Sequence, residues 1–315
     1  MKINKILITG GFGFLGKKFV EYFLNKNIDV IVMEHPKSLL PNNFPQCEIL
    51  RSDLTDRKFI NELKVKNVEA VLHLAAQSSG PRSFSIPYDD ININILGTMN
   101  LLEWCVNNEI DRFLFASSFV VYGDNKNKEI LSESDYCFPK SIYANSKFSC
   151  ENILQNWAQI KGIKWNALRM FNVYGPGQDI TKSDQGVVGI FMNMLMKSNK
   201  VEVKGSLERF RDLIYIDDVI QAWDKCLHGK KYNQIYNVGS GVKTTFNHLI
   251  KSIARVLEKE NKLELIELDG TPGDLMGCYA DLNKINKDLN YEPKFNLSEG
   301  LNKMWNWVNN DVNER

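Results

Sequence analysis

The sequence predicts an α/β fold built on a doubly wound parallel sheet, followed by a smaller α/β lobe toward the C-terminus. Three observations predict it. Short β-branched apolar runs alternate with stretches of helical spacing through the first half of the chain. The first of these runs ends in a glycine loop that opens a helical segment. Past Met170 the alternation is broken by Gly175-Pro176-Gly177 and a polar run, after which shorter strands and helices follow.

Taken in order, Lys5–Thr9 reads as a first strand and Lys17–Asn25 as a helix with Phe19, Tyr22 and Phe23 on one side. Asp29–Met33, Glu69–Leu74, Arg112–Ala116 and Lys164–Met170 repeat the strand theme, with helical segments near Asn92–Asn107 and Tyr143–Ile160 between them. Short apolar strands separated by helices call for a parallel sheet covered on both faces. In the later part Val187–Lys197 reads as a helix, and Val201–Val203, Leu213–Ile216, Gln234–Val238 and Leu263–Leu268 as strands. The division is expected near residue 170, with 1–170 as the nucleotide-binding domain, 171–315 as the substrate lobe, and segments of about 213–238 returning to the first domain.

Composition narrows the function classes. At 315 residues, 43% hydrophobic and 24% charged, the chain has the make-up of a globular protein. Its 39 lysines and arginines against 38 acids give no global pull toward nucleic acid or an anionic membrane, so any phosphate site is local. No stretch approaches the ~20 apolar residues that span a bilayer, and the N-terminus turns into a glycine loop too soon for a signal peptide. The six cysteines are scattered without a C-x-x-C pair, and the four histidines do not cluster. No disulfide scaffold or metal site is expected, and a reducing cytoplasm fits.

Thr9-Gly10-Gly11-Phe12-Gly13-Phe14-Leu15-Gly16 satisfies both G-x-G-x-x-G and G-x-x-G-x-x-G between a strand and a helix. The chemistry demands a tight turn whose backbone N–H groups approach a pyrophosphate at a helix N-terminus, giving a Rossmann-type dinucleotide site. Glu34 closes the next strand. Its carboxylate can accept from ribose hydroxyls and would repel a 2′-phosphate, which favours NAD over NADP.

Tyr143 and Lys147 stand four apart on a helical segment and so share a face. A nearby ammonium and a positive nicotinamide ring both favour a phenolate, and the tyrosine pKa is expected to fall toward a useful range. Upstream, Phe113–Ser118 is a strand ending in hydroxyls, the end at which open α/β sheets place ligands.

These motifs, with Asp53-Leu54, His73-Leu74-Ala75-Ala76-Gln77, Asn94-Ile95-Leu96-Gly97-Thr98, Ser117–Gly123, Arg169–Pro176, Arg211–Asp218 and Gly273-Asp274, span nearly the whole chain. In that order they resemble the extended short-chain dehydrogenase/reductase family, near its UDP-galactose (UDP-glucose) 4-epimerase group. The resemblance implies a catalytic set of Ser118, Tyr143 and Lys147, with Tyr143 as general base. It places NAD against Gly10, Gly13, Phe14, Leu15, Gly16, Glu34, Asp53, Leu54, Leu74, Ala75, Ala76, Asn94 and Phe171, with Tyr143 and Lys147 at the nicotinamide end. It gives the substrate, a sugar on a nucleotide diphosphate, to Ser78, Ser118, Asn172, Arg211, Asp274 and Cys278. A homodimer through the helices near Asn92–Asn107 and Tyr143–Ile160 is also implied. His73 is expected to be a hydrogen-bonded core residue, and Asp217-Asp218 to cap a helix.

Two departures from the family pattern matter. The family's dehydratases and decarboxylases carry acids just after the catalytic hydroxyl, where this chain has Phe119 and Val120, which move no protons. C4 epimerisation, or C4 oxidation or reduction without inversion, remains; a non-catalytic NAD-binding regulator would be expected to have lost the Ser/Tyr/Lys set. Thr271 stands where epimerases usually have a phosphate-clamping arginine, so the nucleotide is left open and Arg209 is available to compensate. Cys278 falls where pocket size is set, and reads either as a roomier pocket or as an idle thiol.

Overall fold

The computed structural model describes residues 3–124, 128–182, 186–270 and 276–313, with side chains to residue 310. The chain gathers into two compact units. The first is Met1–Gly123, Tyr136–Arg169 and Ile220–Tyr236; the second is Asp124–Asp135, Met170–Val219 and Asn237–Arg315.

The first unit is framed by a seven-stranded parallel sheet. Its strands are β1 (Lys5–Thr9), β2 (Asp29–Glu34), β3 (Glu48–Arg51), β4 (Ala70–His73), β5 (Arg112–Ser118), β6 (Lys164–Met170) and β7 (Gln234–Val238), in the order β7-β6-β5-β4-β1-β2-β3. Ile6, Leu7 and Ile8 are fully buried, which is why β1 reads as a continuous apolar run rather than an alternating one. β1 lies between β2 and β4, with Ile8 opposite both Val32 and Leu72. The chain runs outward to β3 and then crosses back to β4, so the direction of winding reverses beside β1. A crevice at the carboxyl ends of the strands is the ligand position of such a sheet, and Thr9 leads the glycine loop into it.

Helix α1 (Phe14–Asn25) buries Gly16, Phe19, Val20 and Phe23, a single stripe at helical spacing, and Phe19 meets Trp223 edge-on at 5.1 Å. Helices α2 (Gly97–Asn107) and α3 (Ile142–Ile153) bring Leu101, Trp104, Cys105 and Cys150 into one apolar cluster with Leu7, Val71 and Phe113 of the sheet. The structure departs here from the uninterrupted helices expected over 92–107 and 143–160. Asp90–Leu96 before α2 and Leu154–Ala158 after α3 are π-helical. A π turn widens the helical ladder, and the Asn94 carbonyl, besides the Gly97 N–H, accepts from the Thr98 hydroxyl (2.5 Å) and the Cys150 thiol (3.2 Å).

In the second unit Asn172–Tyr174 pairs with Leu213–Tyr215 and Lys200–Lys204 with Glu264–Leu268, both parallel, while Phe210–Arg211 pairs antiparallel with Thr244–Thr245. Helices Val187–Lys197 and Phe246–Val256 pack together, with Phe191 and Phe246 5.4 Å apart. Asp217 and Asp218 lie in the first turn of helix Ile216–His228, and the Asp218 carboxylate accepts the backbone N–H groups of Lys294 (2.9 Å) and Phe295 (3.0 Å).

Candidate active site

The glycine loop forms a bare helix start. Gly13 caps α1 with no side-chain hydrogen bond, and no acid occupies the first turn. The first intrahelical bond runs from Lys17 N–H to the Gly13 carbonyl at 3.0 Å, so the N–H groups of Phe14, Leu15 and Gly16 precede the ladder and point along the helix axis. This is the donor set and dipole that a pyrophosphate needs. A Cβ on Gly16 would run into the Gly10 carbonyl and lie 2.6 Å from Gly11 Cα, so the helix and loop can close on each other only with glycine there. Gly16→Ala is therefore expected to weaken dinucleotide binding about tenfold or more, read by calorimetric titration with NAD. Glu34 ends β2, where its carboxylate accepts Phe12 N–H at 3.1 Å and the Ser38 hydroxyl at 3.1 Å, tying the loop to the strand end. Asp53, after β3, accepts the backbone and hydroxyl of Thr55 and lies 3.4 Å from His35 Nε2. Leu54 is buried, and Leu74, Ala75 and Ala76 are half-buried at the end of β4. These residues can hold a dinucleotide.

Ser118, Tyr143 and Lys147 come together in the same unit. Ser118 is the last residue of β5 and Tyr143 lies in the first turn of α3, whose start is capped by Ser141. The Ser118 hydroxyl is hydrogen-bonded to the Tyr143 phenol. Lys147, one turn on, is buried; its ammonium donates to the Ala116 carbonyl at 2.9 Å and lies 6.0 Å from the Tyr143 ring centre. Burial pushes the Tyr143 phenol up to about 12; the Ser118 hydrogen bond lowers it and the Asp90 carboxylate raises it. The expectation that the lysine would bring the phenol down is thus not met by the protein's own groups, because burial dominates and the ammonium is turned to a carbonyl. Burial pulls Lys147 down to about 8, against Cys150, Asp90 and Glu151, which raise it.

A buried hydrogen-bond chain links the glycine loop to α3. His73 lies between Thr9 (Nδ1 to Oγ1, 2.7 Å) and Thr98 (Nε2 to Oγ1, 3.0 Å). Thr98 donates to the Asn94 carbonyl, so it accepts from His73 Nε2–H, and Nδ1 accepts from Thr9. Burial holds His73 at about 3, which keeps it in this neutral form. Asn94 is also fully buried. Its amide oxygen accepts Gln77 N–H (2.8 Å), and its nitrogen donates to the Gln77 carbonyl (3.0 Å), Asp90 (3.2 Å) and Ser146 (2.8 Å). The Asn94 side chain is therefore taken up within the protein.

Behind this chain lies an ion pair that sequence reasoning missed. Glu151, one turn past Lys147, receives Arg169 Nε at 2.9 Å and Nη2 at 2.7 Å, and accepts the Ser117 hydroxyl at 2.5 Å. Ser117 is the residue before Ser118, so the pair anchors the strand end that carries the candidate hydroxyl. Its position four residues after Lys147 on the same helix was the available signal.

The expected substrate residues of the second unit form their own group. Arg211 donates to the Phe210 carbonyl at 2.7 Å, and its guanidinium lies 5.3 Å from the Phe246 ring centre; that of Arg209 lies 4.9 Å from the same ring. The buried carboxylate of Asp212 takes its bonds from Ser240, Gly241 and Ala280. Asn172 donates to the Asp212 carbonyl through both its backbone (3.1 Å) and its side chain (3.0 Å), and Phe171 beside it is buried. Gly277 has φ +146, and a Cβ there would strike the Phe210 carbonyl, so only glycine lets segment 276–278 lie along Phe210. That approach brings Cys278 near Arg211; burial pushes the thiol up to about 11, which Arg211 opposes. Ser78, in the first unit, is exposed. Thr271 and Asp274 lie outside the described residues.

Comparison with known proteins shows the family and the fold. The sequence model of the NAD dependent epimerase/dehydratase family matches residues 6–239. A UDP-glucose 4-epimerase of Thermotoga maritima, solved with UDP-glucose, superposes with a TM-score of 0.90 at 30% identity, covering 98% of this chain and 99% of its own. A UDP-N-acetylglucosamine 4-epimerase of Methanobrevibacter ruminantium, solved with UDP-N-acetylmuramic acid, superposes at 0.89 with 30% identity over 99% of this chain and 100% of its own. A dTDP-4-dehydro-6-deoxyglucose reductase of Escherichia coli is 29% identical over 96% of each chain.

Proposed function

The chain belongs to the NAD-dependent epimerase/dehydratase family and is an NAD-dependent enzyme, and on that premise we propose that it inverts C4 of a sugar carried on a nucleotide diphosphate. The observation that carries this reading is the sequence around Ser118. The Ser118–Tyr143–Lys147 set is intact, and the 3₁₀ turn that follows Ser118 presents Phe119 and Val120. Removing water across C5–C6 needs an additional acid and base, and neither side chain can carry a proton. The dehydratase branch of the family is disfavoured on that ground.

In the proposed reaction Tyr143 takes the proton of the sugar's C4 hydroxyl, with Ser118 bonded to the same oxygen. Lys147 is proposed to hold the nicotinamide ribose. Bound NAD supplies a hydride acceptor that can return hydride to C4, together with a positive ring that favours the phenolate. Tyr143 then gives the proton back to O4 after the keto sugar has turned over. Arg211 and Asn172 are proposed for the diphosphate, with a guanidinium fork suited to phosphate oxygens and Arg209 as a second guanidinium in place of the clamp that Thr271 lacks. Uridine diphosphate sugars are the first substrates to offer, because two solved relatives were captured with UDP ligands.

A homodimer is part of the proposal. Ile91, Leu96, Ile142 and Ile160 are exposed on the helical segments expected to pair, and light scattering on the purified protein would read the mass directly. Among the described residues no helix is long and apolar enough to cross a membrane, and none of the six cysteines is in a disulfide. The cytoplasm is the compartment proposed.

The second reading, a C4 reductase or dehydrogenase, is favoured by the likeness to the Escherichia coli reductase. Anaerobic incubation with UDP-, GDP-, CDP- and dTDP-sugars, followed at 340 nm and by product NMR, separates the two. A C4-inverted product without accumulating NADH is expected; stoichiometric NADH with a released 4-keto sugar would establish the second reading instead.

A further inference from the structure

We propose that Asp90 is a positioning residue of this site: its carboxylate, held by Gln77 and Asn94, fixes the turn of α3 that carries Tyr143 and supplies the negative charge facing Tyr143 and Lys147. The inference rests on the reading of Tyr143 as the acid–base group. Asp90 is fully buried at the start of the π turn that packs against α3. Its oxygens accept Gln77 Nε2 at 3.0 Å and Asn94 Nδ2 at 3.2 Å. Both partners are amide donors, and Gln77 Oε1 is occupied by Ser79 N–H at 2.6 Å, so the donors suit a carboxylate, while burial raises the Asp90 pKa above its ordinary value and the Gln77 bond opposes that rise. The same Asn94 nitrogen donates to Ser146 Oγ at 2.8 Å, and Ser146 donates to the Tyr143 carbonyl at 2.8 Å. Three side chains, Asp90, Asn94 and Ser146, thus run to the backbone of the proposed acid–base residue.

The two buried acids near Lys147 differ in kind. Glu151 is matched by the Arg169 fork, whereas the bonds to Asp90 come from neutral amides. Around Asp90 the charged neighbours are Asp89, Lys147 and Arg82, and Arg82 is itself bonded to Asp89 at 2.6 Å. Around Tyr143 the charged neighbour is Asp90, beside the Ser118 hydroxyl; around Lys147 they are Asp90 and Glu151, beside the Cys150 thiol. The Asp90 charge opposes the phenolate and favours the ammonium, so it raises both groups. Its use is at Lys147, where it counters the desolvation that pulls the ammonium toward neutrality.

The signature is a joint movement. Removing the charge lowers the Tyr143 and Lys147 pKa values together, so the acid limb (phenolate required) and the alkaline limb (ammonium required) both slide to lower pH. A merely structural aspartate would scale the profile without moving it. The test is Asp90→Asn in the NAD-loaded enzyme, with the Tyr143 phenolate titrated by ultraviolet difference against a Tyr143→Phe blank, alongside the pH profile of kcat. The phenolate midpoint is expected to fall by about one pH unit, with both limbs following. An unmoved midpoint with an unmoved profile in folded Asp90→Asn overturns the proposal. If Asp90→Asn does not fold, Ser146→Ala decides, because it cuts the chain and keeps the charge: a loss of kcat of about fivefold with the limbs in place supports the positioning role, and unchanged kcat overturns it. An active Tyr143→Phe enzyme would sink the acid–base reading itself, whatever Asp90→Asn shows.

Discussion

Tyr143→Phe is expected to lower kcat by about a thousandfold or more while leaving the fold and NAD binding intact. The phenol is the group placed to exchange a proton with a sugar hydroxyl: it lies at the start of α3, is hydrogen-bonded to Ser118, and has Lys147 on its flank. The ring remains in Tyr143→Phe, so packing changes little, and the Lys147 bond to the Ala116 carbonyl does not depend on the hydroxyl. The protein alone holds the phenol at about 12, so wild-type activity in the oxidation direction should rise with pH only until the Lys147 ammonium is lost, and the acid limb should depend on the cofactor's charge. A Tyr143→Phe enzyme that binds NAD with wild-type affinity and turns over sugar within about tenfold of wild type would remove the phenol from the mechanism. Steady-state kinetics with a calorimetric NAD titration read both quantities.

Glu151→Ala carries the largest expected loss of stability, about 3–5 kcal/mol in urea unfolding. Glu151 and Arg169 are 2% and 3% exposed, and two bonds join them. Truncating the glutamate leaves a guanidinium sealed away from water, with Nη1 already lacking an acceptor. The stacking of Arg169 on Tyr122 at 4.6 Å cannot replace a carboxylate. Ser117 loses its acceptor as well, so the end of β5 should loosen and kcat should fall along with stability. Replacing both partners with methionine should recover part of the lost stability, since the orphaned charge is what costs most. A loss below about 1 kcal/mol for Glu151→Ala would show that water reaches the pair.

The sheet was legible in the sequence because its strands are buried on both faces. Lys164–Met170 and Gln234–Val238 were delimited to the residue, although Asn166, Arg169 and Asn237 interrupt their apolar runs. Glu48–Arg51 was not anticipated, since an edge strand with exposed and half-buried residues leaves only a weak apolar pattern. The π turns escaped because one wide turn barely disturbs apolar spacing over seven residues. The Tyr143–Lys147 pair was legible from spacing and Ser118 from the resemblance, but neither the burial that raises the phenol nor the direction of the Lys147 ammonium was. Neither Asp90 nor Glu151 was singled out in the sequence. Their burial follows from the packing of three segments distant in sequence, which no local pattern records.

The central claim is that hydride leaves C4 and returns to C4 within one bound complex. A nucleotide sugar deuterated at C4 tests it most directly. Incubated with the enzyme, NAD and a pool of unlabelled NADH, both C4 epimers should retain the deuterium at C4, and the free NADH should gain none. Deuterium appearing in free NADH, or C4-protiated product, would mean that the keto sugar and the reduced cofactor part company, and the chain would be a C4 oxidoreductase rather than an epimerase.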